Sequence, residues 1–277
     1  MLFRKYLSPA PPGIGLALGS GAARGLAHIG VLKVLTSEAI PVTHLAGSSI
    51  GALIGGLYAA GRPLSEIETI ALSTDWKRIR SLAIDVSFQQ GLLRGNKVVQ
   101  FLEEHLGETT FAQCHIPFAV VATDRLTGEM VTITEGRLVD AIRASIAIPV
   151  VFEPVTLAGR TLTDGGLSAP VPVSAVRQLG AKVVLAVNLD SHYYDETVTP
   201  GWLDIINDAI NISRHHLAAA QVAHADVVLN LDAGKHWYQF TNAAERIARG
   251  EAATRTLIPE ITRALRAAQP WWQRLVL

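Results

Sequence analysis

The chain has 277 residues, 49% of them hydrophobic and 17% charged, enough to bury a large core with helices covering both faces of a sheet. Zero net charge and a pI near 7.1 remove the electrostatic basis for nucleic acid as the main partner. One cysteine, Cys114, excludes an internal disulfide and fits a reducing cytoplasm, and no C-x-x-C or His/Cys cluster suggests a metal.

The first twelve residues, M-L-F-R-K-Y-L-S-P-A-P-P, read as a leader lacking the apolar stretch of a signal peptide. No apolar run approaches the roughly 18 residues that a spanning helix needs. A mean hydropathy of +0.29 is compatible with a soluble protein that touches lipid. Gly13 to Leu18 reads as a buried strand. The small-residue loop G-S-G-A-A-R-G (Gly19 to Gly25) follows, then a helical pattern to Leu35. His44 to Ala46 is a short apolar strand entering G-S-S-I-G, with helix formers from Ala52 to Ala60. Helices are expected at about Leu64 to Leu72 and Asn96 to Leu106. Asp75 to Gly95 has no clean period and reads as an irregular packed connection rather than a surface flap.

Ile116 to Thr123 is a buried strand, closed into a hairpin by the turn D-R-L-T-G-E and M-V-T-I-T, with Asp124 as a turn residue. A short helix over Leu138 to Ile146 ends at Ile148-Pro149. The hairpin F-E-P-V-T-L/T-L-T then delivers Asp164, Gly165 and Gly166. Val171 to Leu179 is helical with Gly180 as its stop, and Lys182 to Leu189 is a parallel-type core strand. A polar loop (His192 to Pro200), a long helix to about Ala223 and a strand (Asp226 to Leu231) follow. Two helical stretches are expected on either side of Gly250. No repeat or dividing linker is visible. Residues 13–277 are therefore expected to be one domain, with a motif-bearing core over about 13–190 and a helical part over about 200–277.

Two loops invite chemistry. Gly47, Ser49 and Gly51 form G-x-S-x-G between a strand and a helix, a turn that strains and exposes the serine while its small flanks let strand and helix nearly touch. In a chain with 23 glycines this pattern also arises by chance, so partners must be found for Ser49. The earlier loop places backbone N–H groups where an anion would sit. Dinucleotide binding would need a glycine where Arg24 stands and a carboxylate at the end of the next strand, and neither is present. An oxyanion hole beside the serine fits better, because both loops then lie at the carboxyl ends of adjacent strands. A serine hydroxyl also needs a base. Of nine histidines only His236 has the chain order of an α/β-hydrolase base, and its surroundings show no special geometry. Asp164 is better placed, ending a strand before two glycines that expose its carboxylate. Burial would raise its basicity, and a nearby Arg24 would lower it.

The ordered set Ser20-Gly21-Ala22-Ala23-Arg24-Gly25, Gly47-Ser48-Ser49-Ile50-Gly51 and Asp164-Gly165-Gly166 resembles the patatin-like phospholipases, serine lipid hydrolases with a Ser–Asp dyad. The segments G-L-A-H-I-G-V-L, A-T-D-R-L-T-G-E and R-A-S-I-A-I-P-V-V-F-E-P-V are similar too, as are A-D-V-V-L-N-L and A-A-E-R-I-A-R-G-E near the C-terminus, and the closest likeness is to small bacterial members. The resemblance implies a three-layer α/β/α fold with a mostly parallel central sheet. It makes Ser49 the nucleophile and Asp164 its base, with the N–H groups of Gly21 and Ala22 as the oxyanion hole and Arg24 fixing that loop. It implies hydrolysis of acyl-lipid esters, phospholipid or lysophospholipid, without metal or cofactor. One departure stands out: the family loop usually has three consecutive glycines where this chain has Ser20, Gly21 and Ala22. That departure motivates a rival, a low-turnover regulatory or lipid-binding protein on the same fold. The ends (Phe3, Arg4, Lys5 and Tyr6; Trp271, Trp272, Arg274 and Leu275) suggest peripheral membrane contact, or, for the Trp pair, a subunit interface. Oligomeric state stays open.

Overall fold

The computed structural model describes residues 13–73, 95–149, 151–191, 202–232 and 242–269. The leader, most of the Asp75 to Gly95 connection, the polar loop after Ser191, His236 and the C-terminal Trp pair lie outside the described residues.

The strands are β1 (Ile14–Leu18), β2 (Val42–Ser48), β3 (Phe118–Asp124), β4 (Met130–Ile133), β5 (Val155–Leu157), β6 (Arg160–Thr163), β7 (Val184–Asn188) and β8 (Val227–Asn230). They form one sheet in the order β5-β6-β3-β2-β1-β7-β8, with β4 also on β3. β1, β2, β3, β7 and β8 run parallel, and β4, β5 and β6 are antiparallel additions at one end. The chain winds from β1 to β2 to β3 in one direction, then returns to β7 on the other side of β1. Such a reversal leaves a crevice at the carboxyl ends of the central strands.

The helices are α1 (Ala27–Ser37), α2 (Ile50–Ala59), α3 (Leu64–Ser73), α4 (Asn96–Leu106), α5 (Leu138–Ser145), α6 (Val173–Gln178), α7 (Trp202–Val222) and α8 (Ala243–Ala268). Alternation along the strands sorts side chains between two cores, because successive residues face opposite sides of a sheet. On one face Leu16, Leu18, Leu45, Val120, Leu185 and Val187 pack against α1, α2 and α8. On the other, Ala119, Ala46, Ala17 and Ala186 stand in register across four strands, a row of small side chains under α6 and α7. Large residues on one face and alanines on the other set unequal spacings for the two helical layers. The result is the mostly parallel three-layer α/β arrangement expected from the sequence.

One expectation fails. Gly250 does not separate two helical stretches; α8 runs unbroken through Gly250 and Pro259. The glycine serves an approach of two helices instead. A Cβ on Gly250 would lie 2.1 Å from the Ala27 carbonyl oxygen, and one on Gly30 of α1 would lie 2.1 Å from that of Ile247. α1 and α8 therefore touch backbone to backbone, and Lys33 clasps the packing by pairing with Glu68 of α3 and Glu251 of α8. Packing overrides the weak helix propensity of glycine here. Among the described residues no helix is long and apolar enough to cross a membrane.

Candidate active site

β2 ends at Ser48 and α2 begins at Ile50, so the whole change of direction falls on Ser49, at φ 54 and ψ −120. An L-residue pays steric strain in that region, and such strain persists only where surrounding structure enforces it. Here the enforcement is visible. A Cβ at Gly47 would lie 2.4 Å from the Gly51 oxygen, and one at Gly51 would lie 2.2 Å from that of Leu18. Both flanks must be glycine for strand and helix to pass. The Ser49 N–H donates to Ser145 Oγ at 2.8 Å, and that hydroxyl donates in turn to the Val121 carbonyl at 2.6 Å. The elbow is thus pinned to the end of α5 and to β3, by a serine the sequence did not single out.

The hairpin β5–β6 sets Asp164 beside the carboxyl end of β3. Its N–H donates to Ala147 O and its carbonyl accepts from Thr123 Oγ1 at 2.8 Å, fixing the backbone from two sides. Each carboxylate oxygen then has its own donor. Ser49 Oγ donates to Oδ2 at 2.6 Å, and the Gly166 N–H donates to Oδ1 at 2.7 Å. Gly165 is needed for closeness, since a Cβ there would lie 2.1 Å from Val121 O. Both Ser49 and Asp164 are buried, 6% and 7% exposed. Burial pushes the Asp164 carboxyl above the usual aspartate range, against the opposing pull of the Ser49 hydrogen bond, the Arg214 charge and the Gly166 N–H.

The first loop leaves β1 as expected, at the carboxyl end of the strand next to β2. Ser20 N–H donates to Pro170 O at 2.8 Å, and a tight 3-10 turn over Ala22–Leu26 leads into α1. The first N–H groups of such a turn lack partners within it. Gly21 sits against Leu189, whose Cδ1 would be 2.8 Å from an added Cβ, and Gly25 against Ile50, at 2.2 Å. Ala22 adopts φ 47, a left-handed conformation that costs an alanine roughly 1–2 kcal/mol.

Arg24 is not a charged neighbour of Asp164. Its Nε reaches Gly21 O only at 3.5 Å, while its guanidinium pairs with the buried Asp190, just past β7. Asp190 also accepts from Arg214 of α7 at 2.8 Å, and the same Arg214 nitrogen donates to Ser20 Oγ at 2.7 Å. Arg214 and Asp190 are the charged groups that bear on Asp164. Asp190 was findable in the sequence, as a carboxylate ending a core strand; Arg214, mid-helix, carries no local signal. His28 is also part of the site's support. Its Nε2 donates to Gly19 O at 2.7 Å, and complete burial holds its pKa down to about 4, so the ring is neutral. His215 contacts the Asp190 carbonyl at 2.6 Å through Nδ1. The chain therefore brings together Ser49, Asp164, the Ser20–Gly25 loop and the Asp-Gly-Gly turn.

The sequence is similar to proteins of one group. An uncharacterized NTE family protein of Mycobacterium tuberculosis is 39% identical over 199 residues, which is 70% of this chain and 55% of that protein. The lysophospholipase NTE1 of Yarrowia lipolytica is 32% identical over 203 residues, 71% of this chain and 14% of that one. The chain thus spans about half or less of the length of these relatives. Among solved structures, VipD from Legionella pneumophila superposes with a TM-score of 0.57 at 15% identity, over 92% of this chain and 67% of that one, a likeness of fold. The family model for patatin-like phospholipases matches residues 16–177, a span holding the Ser20–Gly25 loop, the elbow serine and Asp164, and with that match the chain belongs to the patatin-like phospholipase family.

Proposed function

We propose that the chain hydrolyses carboxylic esters of acyl lipids, phospholipid or lysophospholipid, through an acyl-enzyme on Ser49 with Asp164 as base. The observation that carries this is the 2.6 Å hydrogen bond from a strained, buried elbow serine to a carboxylate whose other oxygen is already held. The family membership and the name of the Yarrowia relative, a lysophospholipase, support the substrate class.

Ser49 Oγ attacks the acyl carbonyl carbon as its proton passes to Asp164 Oδ2. Burial makes this carboxylate more basic than a surface aspartate, which favours that transfer. The carbonyl oxygen becomes an oxyanion, received by the N–H groups of Gly21 and Ala22; losing one such donor costs roughly 3 kcal/mol in the transition state. Collapse of the tetrahedral intermediate breaks the ester C–O bond, and Asp164 returns the proton to the leaving alcohol oxygen. Water then gives a proton to Asp164 and attacks the acyl carbon. Release of the fatty acid restores the Ser49 hydroxyl with that proton.

Ser49→Ala should abolish ester turnover and fluorophosphonate labelling while thermal melting stays cooperative. Labelling that maps to another residue, or persists in the variant, would refute the assignment. The strained Ala22 favours a second reading, a low-turnover regulatory or lipid-binding protein. Assay of the purified protein on short p-nitrophenyl esters and lysophospholipid separates the two.

A further inference from the structure

A buried polar cluster beneath the first loop joins Arg24 to two residues, Asp190 and Arg214, that lie outside the span matched by the family model. Asp190 stands between two guanidiniums, Arg24 from the turn and Arg214 from α7. Its own N–H donates to Asn188 Oδ1, and Asn188 Nδ2 donates to Asn230 Oδ1, so the carboxylate is anchored on the ends of β7 and β8. Asp232 also bears on Arg24, so Arg214 is the cation of this group that reaches past Asp190 to the first loop, through Ser20.

The geometry shows what is nearby. A Cβ at Gly166 would lie 2.9 Å from Ser20 Oγ and 2.9 Å from Asp164 Oδ1. Those two oxygens are thus within about 6 Å of each other, and the Arg214 nitrogen on Ser20 is within about 9 Å of the carboxylate, a range over which charge is felt through protein. One guanidinium nitrogen therefore touches the loop that precedes Gly21 and Ala22, and its charge faces the carboxylate bonded to Ser49.

We infer that Arg214 is a positioning residue for the proposed reaction: through Ser20 and Asp190 it fixes the oxyanion-type loop from α7, and it sets a positive charge within about 9 Å of the carboxylate that accepts the serine proton. This rests on the ester-hydrolase reading above. The serine in place of a glycine at position 20 then has a use. A glycine there would give the guanidinium no side-chain acceptor on the loop, and the turn carrying the strained Ala22 would lose its tie to α7. Among the described residues, the charged groups that bear on Asp164 are Arg214 from α7 and Asp190 after β7; Ser49 on the elbow, Thr123 on β3 and the Gly166 N–H are neutral.

Two consequences separate. Removing the hydroxyl of Ser20 loosens the loop but leaves the charge, whereas removing the charge of Arg214 disturbs both. With a short p-nitrophenyl ester on the full chain, Ser20→Ala should lower kcat roughly three- to tenfold with the acid limb of kcat/KM unmoved. Arg214→Met should lower kcat roughly tenfold or more and shift that limb upward by roughly 0.5 to 1 pH unit, because a lost cation makes Asp164 easier to protonate. Arg214→Lys should bring the limb back to its wild-type position. Wild-type kcat and limb in a folded Arg214→Met protein would overturn the inference. If that variant does not fold, wild-type kcat in Ser20→Ala, or a shifted limb in Arg214→Lys, overturns it. Turnover and Ser49 labelling in the wild type keep this outcome distinct from failure of the ester-hydrolase reading, which would show as neither.

Discussion

Gly250→Ala sets two effects of opposite sign against each other. In an isolated helix the change is favourable by about 1 kcal/mol, because alanine is the better helix former. In this structure the new methyl would sit 2.1 Å from the Ala27 oxygen, 2.9 Å from its carbonyl carbon and 3.1 Å from its Cα, all backbone atoms of α1. No rotamer relieves such a contact, so α1 and α8 must part by roughly 1 Å, and overpacking of this kind costs about 1–3 kcal/mol, here toward the upper end. The separation also strips contacts from Ile247 and from the Lys33 clasp. The expected balance is a loss of about 1–2 kcal/mol. For a chain of this size that lowers Tm by roughly 2–8 °C. Differential scanning calorimetry reads it directly, provided unfolding is reversible. Gly30→Ala should cost a similar amount. The double variant should cost less than the two losses added, since one widening of the gap accommodates both methyls. A Gly250→Ala protein that melts higher than wild type would sink the reasoning, because it is the result expected if the glycine merely interrupted a helix.

The buried Asp164 implies an exchange of stability for activity. Its folded-state pKa is raised, so its contribution to stability is full at low pH and declines as pH rises through that raised value. Asp164→Asn should therefore melt higher than wild type at neutral pH, with the gain shrinking on acidification, and should have no ester turnover; a neutral-pH Tm below wild type would contradict this. Wild-type kcat/KM should fall with acid around a pKa above that of an ordinary aspartate, and a limb at the ordinary value would argue against the buried carboxylate as base. His28 works in the other direction. Its pKa is depressed to about 4, so the unfolded chain takes up a proton first as pH falls below about 6.5. Stability is lost across that window, up to about 3 kcal/mol once the pH is below both values. His28→Gln, which keeps a donor for the Gly19 carbonyl, should flatten the slope of Tm between pH 6.5 and 4; an unchanged slope would remove His28 as its source.

Local chemistry made most elements of this chain legible. The strand of β1, the run from β2 into α2, the β3–β4 and β5–β6 hairpins and the long α7 follow from alternation, helical period and turn residues, each encoded within a few positions of itself. The elbow at Ser49 was equally plain, because only glycines at 47 and 51 let a strand and a helix pass so closely. Asp164 needed the family resemblance as well, since an Asp-Gly-Gly turn looks alike whether or not a serine waits opposite. What the sequence could not show were relations across space. That Gly250 joins two helices rather than ending one depends on Ala27, more than two hundred positions away. That Arg24 serves Asp190, and that a mid-helix arginine at 214 reaches Ser20, depend on where α7 lies against the ends of β1 and β7. Periodicity and turn chemistry are short-range signals, whereas a buried charge takes its partner and its pKa from whatever the folded chain brings within a few ångströms.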